Sequence, residues 1–186
     1  MDIGSYQEPQ ITGNAGLLEQ DQQPRWYAIY TSANHEKRVH EQLGRRGVES
    51  FLPLYASVRR WKDRTVRLQL PLFPNYLFAR IALRDRLQVL RVPGVARFVG
   101  FHGGPCALQE TEIESLQRVT RVLPSFRAEP YPYLTAGRCV QVKTGPLAGI
   151  AGILVERRNG TRFVISVDLI MRSVAIELDA EELEPQ

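Results

Sequence analysis

The chain has 186 residues, of which 44% are hydrophobic and 24% charged, and its formal net charge is +4. That length allows one domain or two small ones, and the composition is ordinary for a soluble globular protein. Apolar runs fall short of the roughly 18–20 residues that span a bilayer, and the amino terminus lacks a signal-peptide pattern, so we expect a cytoplasmic protein without membrane contact.

The first 24 residues are polar and rich in Gln and Gly, which predicts a disordered leader. Residues 25–30 are predicted to form a short aromatic strand. A helix is predicted to follow, with Asn34 as its cap and Gly47 at its end.

Residues 48–70 are predicted to form two strands joined near residues 61–64. The next strand, within residues 69–81, has side chains that alternate between two faces. One face is aliphatic and the other is aromatic with a cation; they consist of Leu77, Ala79 and Ile81, and of Tyr76, Phe78 and Arg80. An aliphatic face suits a core and an aromatic face suits protein binding, although a strand buried on both sides would give the same pattern.

Two further helices and a strand complete this part of the chain. Residues 84–91 are predicted to form a short helix and residues 95–101 a strand. Thr111 and Glu114 have the spacing of a capping box, which opens a third helix. The short helix is expected to pack through Leu83, Leu87 and Leu90. The order of elements predicts an α+β sandwich with helices against an antiparallel sheet.

The remaining chain is predicted to be a stiff linker followed by short strands. Residues 124–134 contain three prolines. Beyond them, four or five short strands with Gly-Pro and Asn-Gly turns predict a small barrel, because an open sheet of that size buries too little apolar area. The period-two pattern favours a permanent β fold over a helical one. The predicted division is a leader over 1–24, a first domain over 25–123, a linker over 124–134 and a second domain over 135–186.

Several motifs resemble NusG-type transcription elongation factors. In the first domain they are Trp26-Tyr27, Leu72-Phe73-Pro74-Asn75-Tyr76, and Pro93-Gly94-Val95 followed by Phe98-Val99-Gly100. In the second domain, residues 143–152 resemble the KOW motif of the family's SH3-like barrel, through Lys143, Gly145, Pro146, Gly149 and Gly152. The resemblance covers residues 25–186 in the family's domain order and implies a transcription factor rather than an enzyme.

Two departures from the housekeeping pattern resemble the specialised antiterminators of the RfaH-like and polysaccharide-operon (UpxY-like) types. Asn75 stands where housekeeping members usually have Gly, and residues 167–174 lack the usual aromatic and Gly at a hairpin tip. The family uses that tip to hold a ribosomal small-subunit protein or the termination factor Rho. The resemblance therefore implies a partner site at Leu169, Ile170 and Met171.

The resemblance also implies how the first domain acts. In the family an aromatic depression grips the clamp helices of the largest RNA polymerase subunits, and Phe73, Pro74, Tyr76 and Phe78 match it. We expect these rings to be uncovered. Arg84 and Arg86 lie where the family touches the opposite side of the polymerase cleft. A factor that bridges the cleft disfavours clamp opening and hence pausing or termination.

Positive charge is concentrated in the first domain. Residues 59–97 contain ten basic and two acidic residues, whereas residues 135–186 contain six basic and seven acidic ones. A one-sided, Arg-rich segment favours a polyanion, here upstream or non-template DNA, with salt-sensitive contacts. The candidates are Lys37, Arg38, Arg59, Arg60, Lys62 and Arg64. The alternative, a KOW-containing RNA-binding or ribosome-associated protein, predicts a basic barrel, and this one is nearly neutral.

No residue pattern indicates catalysis or a cofactor. Cys106 and Cys139 are far apart and are expected to be reduced thiols, and the three histidines lack metal-ligand spacing. We find no paired carboxylates, activated nucleophile or phosphate-binding Gly loop. The expectation is a monomer with no metal and no cofactor.

Overall fold

The computed structural model describes residues 22–60, 64–101, 104–122, 128–131, 137–157, 160–178 and 180–185. We refer to residues 22–122 as the amino-terminal domain and to residues 128–185 as the carboxy-terminal domain. No helix among these residues is long and apolar enough to cross a bilayer.

The amino-terminal domain places helices against an antiparallel sheet. Its elements are β1 (Arg25–Thr31), α1 (Glu36–Arg45), β2 (Glu49–Phe51), β3 (Leu54–Arg60), β4 (Thr65–Pro71), β5 (Tyr76–Ile81), a 3-10 turn (Leu83–Asp85), α2 (Arg86–Leu90), β6 (Val95–Phe98), β7 (Ala107–Leu108) and α3 (Glu110–Val122). The sheet has the order β2-β5-β1-β6, with β7 also paired to β1. Strands β3 and β4 form a separate two-stranded ribbon. This arrangement confirms the predicted α+β class.

One face of this sheet is covered by α1 and α2. Its core combines Tyr27, Ile29, Leu77, Ala79 and Ile81 of β1 and β5 with Val39, Leu43 and Val89 of the two helices. The predicted aliphatic face of β5 is therefore confirmed as a core face. Fully burying one such side chain contributes roughly 1.5–3 kcal/mol, so this layer is a main source of the domain's stability.

Helix α1 begins and ends differently from one another relative to prediction. Asn34 adopts a left-handed conformation, with φ 61°, and His35 precedes the helix without a side-chain cap, so the predicted Asn34 cap is wrong. The predicted end is confirmed. Gly47, with φ 73°, closes the helix while the Val48 N–H donates to the Leu43 carbonyl.

The contact register predicted for the short helix is wrong for two leucines. Leu87 and Leu90 are 53% and 38% exposed, whereas Val89 is fully buried. The chain passes through the 3-10 turn at Leu83–Asp85 before α2 starts at Arg86. That tighter turn advances the chain faster around its axis than an α-helix does, so the side chains beyond it face other directions.

The start of α3 lies one residue before the predicted capping box. The Glu112 carboxylate accepts the Gln109 N–H at 2.9 Å, so the side chain that returns to the helix start is Glu112 rather than Glu114. Thr111 already lies within the first turn, where its carbonyl accepts the Ser115 hydroxyl. Ile113, Leu116 and Val119 form the buried stripe of the helix.

The carboxy-terminal domain is a six-stranded antiparallel sheet. Its elements are β8 (Ala128–Tyr131), β9 (Arg138–Val142), β10 (Ala151–Arg157), β11 (Gly160–Val167), a 3-10 turn (Asp168–Ile170), β12 (Arg172–Glu177), a 3-10 turn (Ala180–Glu182) and β13 (Leu183–Pro185). The pairing order is β13-β9-β10-β11-β12-β8. The predicted β character is confirmed, and β8 is contributed by the segment predicted as the linker. The hairpin turn at residues 158–159 lies outside the described residues.

The KOW turn depends on its glycines for a steric reason. Gly145 and Gly149 have φ of 80° and 83°, a region that other residues rarely adopt, which confirms the predicted need for positive φ. A Cβ atom at Gly152 would approach the Phe163 ring to 2.6 Å. These residues thus shape the β9–β10 connection and its packing on β11.

Candidate functional site

The second face of the amino-terminal sheet carries the aromatic residues that the sequence singled out. Phe78 stacks on Phe51, with ring centroids 6.1 Å apart, and meets the Phe73 ring edge-on at 6.1 Å. Trp26 of β1 lies on the same face and its indole N–H donates to Glu110 of α3. Aromatic rings in such edge and offset contacts form a rigid surface of large area.

A tight turn sets the position of these rings. The Tyr76 N–H donates to the Phe73 carbonyl at 3.0 Å, and Asn75 has φ 70°. Pro74 followed by a residue with positive φ is the pattern of a type II turn, which explains why Gly or Asn suits position 75. The Asn75 N–H donates to the Glu36 carboxylate at 2.7 Å, and the Asn75 carbonyl accepts the Thr31 N–H at 2.8 Å.

Four side chains extend this face towards solvent. The rings of Tyr30 and Tyr76 are 5.2 Å apart in an edge contact. The Arg97 guanidinium lies 5.3 Å from the Tyr30 ring centroid, and the Arg172 guanidinium lies 5.9 Å from that of Tyr76. Sequence reasoning missed Tyr30 and Arg97, although Tyr30 occupies the strand that it did identify as aromatic. We call Tyr30, Phe73, Tyr76 and Phe78 the aromatic face.

Two of the four rings are covered, contrary to the expectation that they would be open. Phe73 is 1% and Phe78 0% exposed, whereas Tyr76 is half-buried. Both phenylalanines belong to a hydrophobic cluster that also contains α3 and the core of the carboxy-terminal domain, including Leu147, Phe163 and Ile170. The carboxy-terminal domain therefore packs on the side of the sheet that holds the aromatic face.

Polar contacts from α3 join the two domains. The Arg118 guanidinium donates to the carbonyl oxygens of Pro146 at 3.2 Å and Ala148 at 2.5 Å, both in the KOW turn. Arg172, which contacts Tyr76, follows the tip at residues 168–171. Arg118 was not identified from the sequence, because nothing local in a helical Arg indicates a partner 28 to 30 residues away.

The predicted partner site at the tip is only partly accessible. Ile170 is buried, Leu169 is half-buried against the shared hydrophobic cluster, and Met171 is exposed with a left-handed φ of 49°. The Lys143 side chain at the start of the KOW turn is exposed. The tip and the aromatic face thus lie near each other, with Arg172 and Tyr76 in contact.

The cations assigned to the polymerase cleft lie apart from the rings, beside α2. Arg84 and Arg86 are exposed, and Arg84 lies 3.6 Å from the Asp85 carboxylate. Arg80, on the ring-bearing face of β5, lies 3.7 Å from the carboxylates of both Glu49 and Glu110. Those carboxylates offset its charge, so Arg84 and Arg86 are the better cations for an external partner.

The candidate nucleic-acid residues are divided between α1 and the β3–β4 ribbon. Lys37 and Arg38 are exposed on α1, and Arg60 and Arg64 are exposed on the ribbon. Arg59 pairs with Val66 through its backbone, and Lys62 lies outside the described residues. Val58 and Arg67 are directly paired and exposed, so Arg67 lies on the same open ribbon face as Arg60 and was missed from the sequence.

Among the described residues, no group of three or more His, Cys, Asp or Glu side chains could hold a metal ion. His40, predicted to be a surface residue, is half-buried and its Nδ1 lies 2.8 Å from the Ser50 hydroxyl. Burial lowers the pKa of His40 below its ordinary value of 6.5. This pair joins α1 to β2 and lies in the structural layer of the domain.

A family model described as "Transcription termination factor nusG" matches residues 24–117. The chain belongs to the NusG family. The protein "Transcription termination/antitermination protein NusG" of Rickettsia bellii is 24% identical over 172 residues, covering 86% of this chain and 89% of the relative. Its Lactococcus lactis counterpart is 26% identical over 183 residues, covering 86% and 91%. These NusG relatives are transcription factors and not enzymes.

A solved structure concerning domain interaction in Thermotoga maritima NusG has the same fold. It aligns with 89% of this chain and 98% of its own, with a TM-score of 0.57 and 21% sequence identity. At this identity the likeness supports the NusG fold, with its mixed helices and sheets followed by a β-rich KOW domain.

Proposed function

We propose that this NusG-family protein is a transcription elongation and antitermination factor that binds the RNA polymerase clamp helices through its aromatic face. The observation that carries the proposal is the cluster of Tyr30, Phe73, Tyr76 and Phe78 on one face of a family-matched domain. Rigid aromatic side chains supply large contact area at low entropic cost, and a few of them can dominate an interface.

The described arrangement corresponds, in this proposal, to a closed state. Phe73 and Phe78 have almost no exposed surface, so a partner as large as polymerase cannot reach them while the carboxy-terminal domain stays in place. Polymerase binding therefore requires this domain to leave the aromatic face. Since a ligand shifts an equilibrium only by its differential affinity, polymerase must contribute at least the free energy of opening.

The other surfaces act in the same complex. Arg84 and Arg86 contact the opposite side of the polymerase cleft, so that the factor bridges the cleft and disfavours pausing. Arg60, Arg64 and Arg67 on the ribbon follow the phosphates of upstream or non-template DNA, with Lys37 and Arg38 as further contacts. Phosphate contacts of this kind weaken as salt increases. The protein acts in the cytoplasm as a monomer.

The KOW domain recruits a further partner through Leu169, Ile170 and Met171, either a ribosomal small-subunit protein or Rho. Ile170 is buried in the closed state, so this site also becomes available on opening. Asn75 in place of Gly and the altered tip favour a specialised RfaH-like or UpxY-like antiterminator over a housekeeping factor. An occupancy profile across the genome tests that choice, since enrichment on one long operon supports a specialist and uniform coverage contradicts it.

The polymerase contact is tested by binding of the full chain to core RNA polymerase. Replacing both Phe73 and Tyr76 by Ala should cost about 2–4 kcal/mol of binding free energy, if both are hot spots. The control is Phe101→Ala, which removes an exposed ring elsewhere on the domain. Circular dichroism checks that the double variant is folded. A folded double variant that binds as tightly as the unmodified chain contradicts the proposal.

A further inference from the structure

We propose that Glu36 is a positioning residue for the aromatic face, acting through the backbone of Asn75. The inference rests on the proposed function. Glu36 begins α1, yet its side chain is only 5% exposed and its carboxylate accepts the Asn75 N–H at 2.7 Å across 39 residues of sequence. A carboxylate is buried at a cost unless it is well partnered, so this contact is specific to the turn.

The turn at Asn75 is held from both sides. Its N–H is bound by Glu36 and its carbonyl by the Thr31 N–H at 2.8 Å. Asn75 has φ 70°, where residues other than Gly are strained, although Asn tolerates this region better than most. A strained backbone persists only when the surroundings fix it, and Glu36 and Thr31 provide that constraint.

Fixing this turn fixes the rings on either side of it. Phe73 precedes Asn75 and meets Phe78, and Tyr76 follows it and meets Tyr30. Glu36 belongs to α1, which packs on the opposite face of the sheet. The restraint is therefore internal to the amino-terminal domain and is retained when the carboxy-terminal domain moves away. We infer that Glu36 preorganises the rings for their partner in the open state.

The test compares full-length variants by two readouts, hydrogen exchange of the Asn75 and Tyr76 amides and affinity for core RNA polymerase. Affinity is measured in the unmodified chain and in an Arg118→Ala background that removes a contact to the carboxy-terminal domain. Glu36→Ala should speed Asn75 exchange and weaken binding, each by about tenfold, as expected for loss of one charge-assisted hydrogen bond. Glu36→Gln keeps an acceptor and should lose about threefold.

Two sets of controls separate positioning from folding. Glu41→Ala removes a carboxylate from the exposed side of the same helix and should leave both readouts unchanged. Asn75→Gly should bind within about twofold of the unmodified chain, because Gly adopts φ 70° without strain. Asn75→Val cannot easily adopt it and should weaken binding, with an effect that is not additive with Glu36→Ala because both release the same turn.

Each outcome decides the inference. Folded Glu36→Ala with unchanged exchange or unchanged affinity overturns it. If Glu36→Ala does not fold, Glu36→Gln and Asn75→Val decide instead, and faster exchange in them without weaker binding also overturns it. If the unmodified chain and the Arg118→Ala chain both fail to bind polymerase, the proposed function fails. The exchange readout needs no polymerase, so it then decides separately whether Glu36 fixes the turn.

Discussion

The two faces of the amino-terminal sheet are covered by different kinds of partner. One face is covered by α1 and α2, which belong to the same domain and pack through Val39, Leu43 and Val89. The other is covered by α3 and by the carboxy-terminal domain, with Arg118 and Arg172 among its polar contacts. The first cover is part of the fold. The second can leave without unfolding the domain, so a face buried in the structure can still serve as a binding surface.

The permanent face should be the most sensitive to truncation. Leu77→Ala leaves a cavity at a fully buried position and should lower the free energy of unfolding by about 2–5 kcal/mol. The matched control is Leu87→Ala on α2, where the side chain is 53% exposed and the change should stay within about 0.5 kcal/mol. Urea denaturation measures both. Equal effects in the two variants would show that the assigned core layer is wrong.

The removable cover should respond to Arg118→Ala without loss of the fold. The variant loses hydrogen bonds to the Pro146 and Ala148 carbonyls, which should shift the closing equilibrium by about 1–3 kcal/mol towards the open state. Polymerase should then bind more tightly, because less free energy is needed for opening. Distances between spin labels on the two domains report the shift directly.

The control for this experiment is Arg121→Ala, which removes an exposed cation from the last turn of the same helix. It should leave the label distances unchanged. An Arg118→Ala chain with the closed distance distribution and unchanged polymerase affinity would show that Arg118 does not hold the domains together.

The sequence predicted what depends on local pattern. Alternation along β5 identified the core face, and the glycines of the KOW turn identified the need for positive φ. The motif at Phe73–Tyr76 also located the aromatic turn. In each case the determining contacts lie within a strand or a turn, where side-chain period and backbone stereochemistry are readable from neighbouring residues.

The sequence did not predict contacts between distant segments. Glu36 binds Asn75 across 39 residues, and Arg118 binds the KOW turn across 28 and 30 residues. An acid at a helix start and an Arg within a helix are common and have ordinary local explanations. Leu87 was misplaced because a 3-10 turn changed the register before α2.

Arg172 should make a smaller contribution to closure than Arg118. Its guanidinium lies 5.9 Å from the Tyr76 ring centroid, and a cation–π contact at an exposed site is worth about 0.5–1 kcal/mol. Arg172→Ala should therefore open the chain slightly and change the ring chemical shifts of Tyr76. Arg172→Lys, which keeps the charge, should retain most of the contact. Unchanged Tyr76 shifts in the Ala variant would contradict this assignment.

The smallest effect concerns pH and should be confined to the permanent layer. Burial lowers the pKa of His40 in the folded chain below its ordinary value of 6.5. Between the two pKa values the unfolded chain binds a proton that the folded chain does not, so stability is complete above pH 6.5 and falls as pH decreases towards the folded value. Urea denaturation from pH 7.5 to 5 should show this loss, and His40→Gln should reduce its slope.

His40 bonds Ser50 between α1 and β2, on the side of the sheet whose cover does not move. The label distances between the two domains should therefore not depend on His40. If His40→Gln leaves the pH dependence of unfolding unchanged, the histidine is not the responsible group. If it instead alters the distances between domains, the two covers are coupled, and the separation between a permanent and a removable face does not hold.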